Sequence, residues 1–241
     1  MSAAAPPTLR LLELSALDAD HVMAAFEAQP GLRYEAGQWI NLHVQNPGEE
    51  LDARALSFAS APSSLPSLEV CVRRKTGSQA VAALEQGVGR VFEFDGPYGA
   101  FRRKGPFLKP TIFVASSTGV APIRGMLLDG ARSGAPSVPG ILLHARGADA
   151  VPVFLDQHAA WREAWPLLET HDVSSDQGDE QDPRTWEALV EQTRDALVRL
   201  GTGSVQVWMA GHAAWIKPLR AELRERWQLD RRQVKAEIFW P

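Results

Sequence analysis

In the N-terminal part of the chain, short hydrophobic runs of β type alternate with turn-forming residues. LRLLEL (9–14), QWINLHV (38–44), SLEVCVR (67–73) and RVFEFD (90–95) are separated by Gly, Pro, Asn and Ser. That spacing predicts a small antiparallel barrel or sandwich. One short helix interrupts it at SQAVAALEQG (78–87), with Ser78 as a candidate cap, helix-forming Ala and Leu, and a stop at Gly87. From about Gly105 the period changes. TIFVAS (111–116) is a compact apolar strand, and STGVAPIRGMLLDGARSG (117–134) is a helix with Pro122 in its first turn. GILLHAR (140–146), a Trp-rich helical stretch around HAAWREAW (158–165) and LLETHDV (167–173) follow. In TWEALVEQTRDALVRL (185–200), Trp186, Leu189, Val190, Leu197 and Leu200 share one helical face. VQVWMA (205–210), a helix near WIKPLRAELRERW (215–227) and VKAEIF (234–239) complete the pattern. Strands alternating with helices imply a doubly wound parallel sheet. The expected division is an antiparallel β-barrel domain over 1–104 and an α/β domain over 105–241, joined within FRRKGPFLKP (101–110). The acidic, polar stretch 174–182 reads as a mobile surface loop.

Composition narrows the chemistry. Apolar and charged fractions of 45% and 22% are ordinary for a globular chain. A formal charge of −4 offers no basic face, so no nucleic-acid partner is expected. Cys71 is the single cysteine, which rules out an internal disulfide and a Cys-ligated iron–sulfur cluster held by this chain alone. The scattered histidines predict no metal site. MSAAAPPTLR lacks the charged-then-apolar order of a signal peptide, and no apolar run reaches the ~20 residues that span a bilayer. A cytoplasmic protein without a membrane partner is the expectation.

Five segments point further. RALSFASAP (54–62) resembles the flavin signature of the ferredoxin–NADP reductase superfamily. AGQW (36–39), GPYGAF (96–101), ASSTGVAP (115–122) and MAGHAAW (209–215) stand in that family's order, and AEIF resembles its terminal Glu-x-aromatic. The resemblance covers nearly the whole chain. It implies a flavin-binding barrel followed by an NAD(P)-binding domain, in the NAD(P)H:flavin reductase-like branch without an iron–sulfur domain. The implied activity is that of an oxidoreductase passing hydride from NADPH or NADH to flavin, FAD or else FMN. Electrons would then go to a separate ferredoxin, flavodoxin, oxygenase component or free flavin. Two alternatives stay open: a reductase that treats flavin as a diffusing substrate, and a non-catalytic flavin-binding subunit that needs a partner enzyme.

The resemblance also implies roles for residues. Arg54 grips the flavin phosphate with paired, charge-assisted hydrogen bonds. Ala55 and Leu56 complete the contact strand, Leu56 covering one ring face where the family has tyrosine. Ser57 sets its hydroxyl beside the reactive flavin nitrogen. Gly77, Ser78 and Gln79 lead into a helix whose free amides face phosphate, while Val81 replaces a common hydroxyl residue. Tyr98 either packs near the flavin or closes the barrel. Thr118 and Gly119 lie where doubly wound sheets receive a pyrophosphate, and Arg146 lies near the adenosine ribose. Ala210 and Gly211 form the nicotinamide floor, with alanine where plant-type relatives have cysteine. Glu237 and Phe239 belong to the catalytic ending, and either Phe239 or Trp240 covers the flavin.

Overall fold

A computed structural model describes residues 6–74, 78–132, 134–147, 150–174 and 182–239. Most of the stretch expected to form an acidic loop, together with Gly77 and Trp240, lies outside these residues. The chain forms two sheets of opposite character. The first contains β1 (Thr8–Ala16), β2 (His21–Ala28), β3 (Trp39–Val44), β4 (Asp52–Ser57), β5 (Ser67–Arg73) and β6 (Val91–Tyr98) in the order β4-β3-β6-β1-β2-β5, every pair antiparallel. Its two edge strands, β4 and β5, curl toward each other and touch through a bridge between Phe58 and Val70. Inside lie Leu9, Leu11, Phe26, Ile40, Leu42 and Phe94, all essentially inaccessible. The short helix α1 (Gln79–Glu85) starts at Ser78, whose hydroxyl accepts from the Val81 amide as the sequence suggests.

The second sheet contains β7 (Thr111–Ser116), β8 (Gly140–Ala145), β9 (Leu168–Val173), β10 (Gln206–His212) and β11 (Val234–Phe239), all parallel, in the order β11-β10-β7-β8-β9. Each of the six residues of β7 is buried, as expected for a strand covered on both faces. On one face Ile112, Val114, Ile141 and Leu143 pack with Leu189 and Leu197 of α4 (Pro183–Leu200) and Ile216 and Leu219 of α5 (Ala213–Glu225). On the other, Phe113 and Leu142 meet Ile123 and Met126 of α2 (Val120–Ala131) and Trp161 of α3 (His158–Ala164). Helix α4 is bounded as its sequence dictates: Asp182 caps it by accepting from the Arg184 amide at 2.8 Å, Pro183 opens its first turn and Gly201 ends it. Strand order reverses between β7 and β10, so the crevice beyond their carboxyl ends is the topological switch point where such sheets bind ligands.

The barrel and the parallel sheet share a core. Met23, Ala36, Ala59 and Cys71 of the barrel side pack with Phe101, Phe113, Met126 and Trp208. Within this seam lies Arg124 of α2, with a side chain only 10% exposed. Its Nη1 donates to the Ala59 carbonyl and to Glu69 Oε2 on β5, both at 2.7 Å, and its Nε donates to Gln157 Oε1 at 2.7 Å. Removing one partner of a buried ion pair leaves the other charge uncompensated. Arg124→Ala should therefore lower the unfolding free energy by about 3 kcal/mol, read by denaturant titration, whereas Arg10→Ala, which breaks an exposed pair with Glu27, should cost less than about 1 kcal/mol.

Candidate functional site at the domain junction

The gap between β4 and β5 opens beside the switch point of the parallel sheet. Arg54, on β4, is about half exposed and paired with Asp52 Oδ2 at 2.5 Å on the same strand. An exposed pair of this kind is weak, so the guanidinium is available to a stronger anion. Ala55 is exposed one residue on. Leu56 does not present a free face: it is 8% exposed and sits in the barrel core, opposite Ile40 across the β3–β4 ladder. Residues directly opposed in a ladder share a face, so an apolar side chain paired with Ile40 drops inward. The expectation that Leu56 covers a ring is revised accordingly.

Ser57 shares its face with Trp39, its ladder partner, and Trp39 is in turn paired with Tyr98 of β6. The Trp39 and Tyr98 rings are tilted 51° at 5.1 Å, leaving the tyrosine 42% exposed. Glu237 of β11 reaches the same place from the other domain: a side chain at Gly99 would lie 2.9 Å from the Trp39 ring and 3.8 Å from Glu237 Oε2. Ser57, Tyr98 and Glu237 thus converge from three strands around Trp39. No role had been assigned to Trp39, although AGQW carried the signal. Desolvation pushes the Glu237 carboxyl up to about 7.

Beside α1, Gln79 keeps a buried side-chain oxygen with no hydrogen-bond partner among the described residues. Such an orphaned acceptor suits a ligand rich in hydroxyls and N–H groups. On β4, the half-exposed Arg54 guanidinium fits the phosphate of a flavin nucleotide. Ser78 is spent on its cap, and Val81 is buried in the barrel core.

Across the junction, the loop after β7 is held tightly. A Cβ on Gly119 would stand 2.0 Å from the Ala210 carbonyl oxygen, so this glycine lets the loop lie directly on β10. The packing against β10 therefore requires a glycine here whatever the loop binds. Gly211 has φ +149°, and a Cβ there would meet Ser116 Oγ at 2.1 Å. Ser116 Oγ accepts from the His212 amide at 3.2 Å, closing the ends of β7 and β10 together. Thr118 is partly exposed on the same turn, and Ser117 before it adopts φ +48°, a left-handed conformation that costs a non-glycine residue roughly 1 kcal/mol. Arg146 follows β8 and donates to the carbonyls of Gly147 and Ala150 at 3.0 and 2.9 Å. Phe239, half-buried, ends β11 opposite His212.

Comparison with known proteins agrees with this geometry. Residues 10–102 match the family model described as Oxidoreductase FAD-binding domain, and residues 123–241 match that of Siderophore-interacting protein. Over 116 residues the chain is 41% identical to ferredoxin–NADP reductase B of Sorangium cellulosum, a stretch that is 47% of this chain and 46% of that protein. The two matches together span most of the chain and bear out its resemblance to the ferredoxin–NADP reductase superfamily. The chain is also similar to the reductase component of propane 2-monooxygenase from Rhodococcus jostii, 31% identical over 40% of this chain and 26% of that protein. Two solved structures share the fold. Ferredoxin–NADP+ reductase from Plasmodium falciparum has a TM-score of 0.80 at 13% identity, with 97% of this chain and 96% of that one aligned. Cytochrome P450 reductase from Amycolatopsis has 0.79 at 24% identity, over 98% and 70%. The chain spans less than half the length of the curated relatives it matches. Among the described residues no three His, Cys, Asp or Glu side chains cluster as a metal site, and no helix is long and apolar enough to cross a membrane.

A carboxyl raised by burial favours its neutral form in the folded protein, so stability is full at low pH and falls as pH climbs from about 4.5 to about 7. Glu237→Gln should melt like the wild type at pH 4 and at a higher temperature than the wild type above pH 7, in thermal scans across that range.

Proposed function

We propose that this protein is an NAD(P)H-dependent flavoprotein reductase that holds FAD in the β4–β5 gap and a reduced nicotinamide dinucleotide over β7 and β10. The observation that carries the reading is the convergence of Ser57, Tyr98 and Glu237 at the mouth of that gap, against the switch point of the parallel sheet. A bound flavin supplies the two-electron to one-electron chemistry, accepting hydride and releasing electrons to a separate redox acceptor. The residues supply placement. Arg54 exchanges its weak pair with Asp52 for the flavin phosphate, and Gln79 offers its orphaned oxygen to the same nucleotide. The Ser57 hydroxyl and the Glu237 carboxyl line the place where hydride arrives, and Ser57 acts by donating a hydrogen bond that strengthens as negative charge develops. Trp39 and Tyr98 exclude water from it. Ala210 and Gly211 form a floor without side chains that lets a nicotinamide approach closely, while Thr118 and the loop before Gly119 take the pyrophosphate. Arg146 lies toward the adenosine end, where a guanidinium suits a 2′-phosphate and leaves NADH usable. Phe239 stands where it covers the flavin until nicotinamide displaces it.

We place the domain boundary between residues 104 and 105, and the protein in the cytoplasm, where reduced dinucleotide is available. The acceptor is a redox protein, the reading that similarity to the reductase components of oxygenases supports. The family match of 123–241 supports a second acceptor class, a ferric chelate.

Fluorescence quenching with FAD tests the anchor. Arg54→Ala should weaken FAD binding about tenfold, the worth of a lost charge-assisted hydrogen bond. Ser57→Ala should leave FAD affinity near normal and slow NADPH-dependent reduction of ferricyanide about tenfold or more. Wild-type protein that binds no flavin, or Ser57→Ala turning over at the full rate, contradicts the proposal.

A further inference from the structure

Three polar side chains at the domain junction form a chain that the proposed reaction has not used. Asp18, in the turn between β1 and β2, places Oδ1 and Oδ2 each 3.0 Å from His21 Nδ1. His21 opens β2 and is 7% exposed, and its Nε2 lies 3.0 Å from Ser117 Oγ, which belongs to the other domain. Ser117 is the residue with φ +48°, and its carbonyl meets His144 Nε2 at 3.3 Å. Both ends of this serine are therefore held, and its hydroxyl is held by the barrel.

Hydrogen-bond inventory then dictates a consequence. The Asp18 carboxylate can only accept, so Nδ1 of His21 carries a proton and donates. While His21 is neutral, Nε2 has no proton and must accept the Ser117 O–H. The serine oxygen then turns lone pairs outward, which repels a phosphate. When His21 is protonated, Nε2–H donates to Ser117 Oγ and the hydroxyl hydrogen is released toward the crevice. A diphosphate needs that donor. Resting on the dinucleotide reading above, we propose that His21 is a positioning residue that couples pyrophosphate binding at Ser117 to uptake of one proton by the Asp18–His21 pair.

Most of the groups around this pair keep a fixed charge. His21 pairs across the ladder with Arg73, permanently charged, and β5 also brings Cys71, whose buried thiol is pushed up to about 12 and stays neutral. From β8 comes His144, which burial pushes down to about 4 and keeps neutral near pH 7. Arg124 of α2 is already held by Glu69. At the same strand ends His212 caps α5, and the Glu237 carboxyl, pushed up to about 7 by burial, carries a pH dependence of its own that Glu237→Gln removes.

Calorimetric titration of the full chain with ADP-ribose is the test, because that ligand carries the diphosphate without nicotinamide and without a phosphomonoester that titrates in the same range. Wild-type affinity should fall about tenfold as rising pH takes the proton from the pair. Buffers of different ionisation enthalpy should report net proton uptake on binding. His21→Gln puts an amide where the imidazole was and has no proton to lose, so in a Glu237→Gln background, where the neighbouring carboxyl is also silenced, its affinity should be flat while that of the background alone still falls. Asp18→Asn removes the counter-charge and should move the fall to lower pH. The fall retained when His21→Gln is added to that background, no proton uptake in the wild type, or an unmoved profile in Asp18→Asn overturns the proposal while leaving the dinucleotide site standing. Failure of the wild type to bind ADP-ribose at any pH removes the dinucleotide site and this proposal with it.

Discussion

The guanidinium of Arg124 reaches out of α2 into the barrel and bonds the two domains to each other. Its bonds to the Ala59 carbonyl and to Glu69 on β5 tie the helix that leaves the switch point to the strand that borders the flavin gap. The apolar seam of Met23, Cys71, Phe101, Met126 and Trp208 supplies area but little direction; a hydrophobic contact is not directional, whereas a buried arginine with three bonded partners fixes an angle. A reaction that needs its two reacting atoms about 3–3.5 Å apart cannot tolerate a hinge free to drift by an ångström. The buried ion pair is thus better explained by specificity of domain orientation than by stability, since a well-packed apolar replacement would fold as well or better.

Close backbone approach is the second constraint. Gly119 rests on Ala210, and Gly211 rests on Ser116, so the carboxyl ends of β7 and β10 lie flat against each other with no side chain at either glycine. That flatness suits a nicotinamide, and it places the Ser117 turn at the rim. Above this floor the groups that could move protons come from the other side of the junction or from the last strand: Ser57 from β4, His21 from β2, Glu237 from β11. Neither domain carries a complete site.

Much of this was legible in the sequence, and the parts that were not share a cause. The apolar run of β7 and the capped, amphipathic α4 are local patterns, and both elements stand where the pattern put them. β2 escaped notice because HVMAAFEA shows no alternation. Its inner face lines the barrel while Met23 on the outer face joins the second domain, so both sides are buried. Leu56 was aligned with a family position, but a motif does not say to which face a residue turns; its ladder partner Ile40 does. Gly119 was read through the ligand, although the backbone of β10 alone requires it. The His21–Ser117 contact spans 96 residues and two domains, and no spacing rule reaches that far. Local chemistry was readable; what depends on the approach of two domains was not.

The central claim is that flavin and nicotinamide dinucleotide meet at this junction in a geometry fit for hydride transfer. The most direct measurement is the visible absorption of the FAD-loaded protein during anaerobic titration with NADPH and with NADH. The account predicts bleaching of the flavin band by at least one of the two, complete near one equivalent of dinucleotide per flavin. A spectrum unchanged by either dinucleotide, with the flavin still bound, would contradict it.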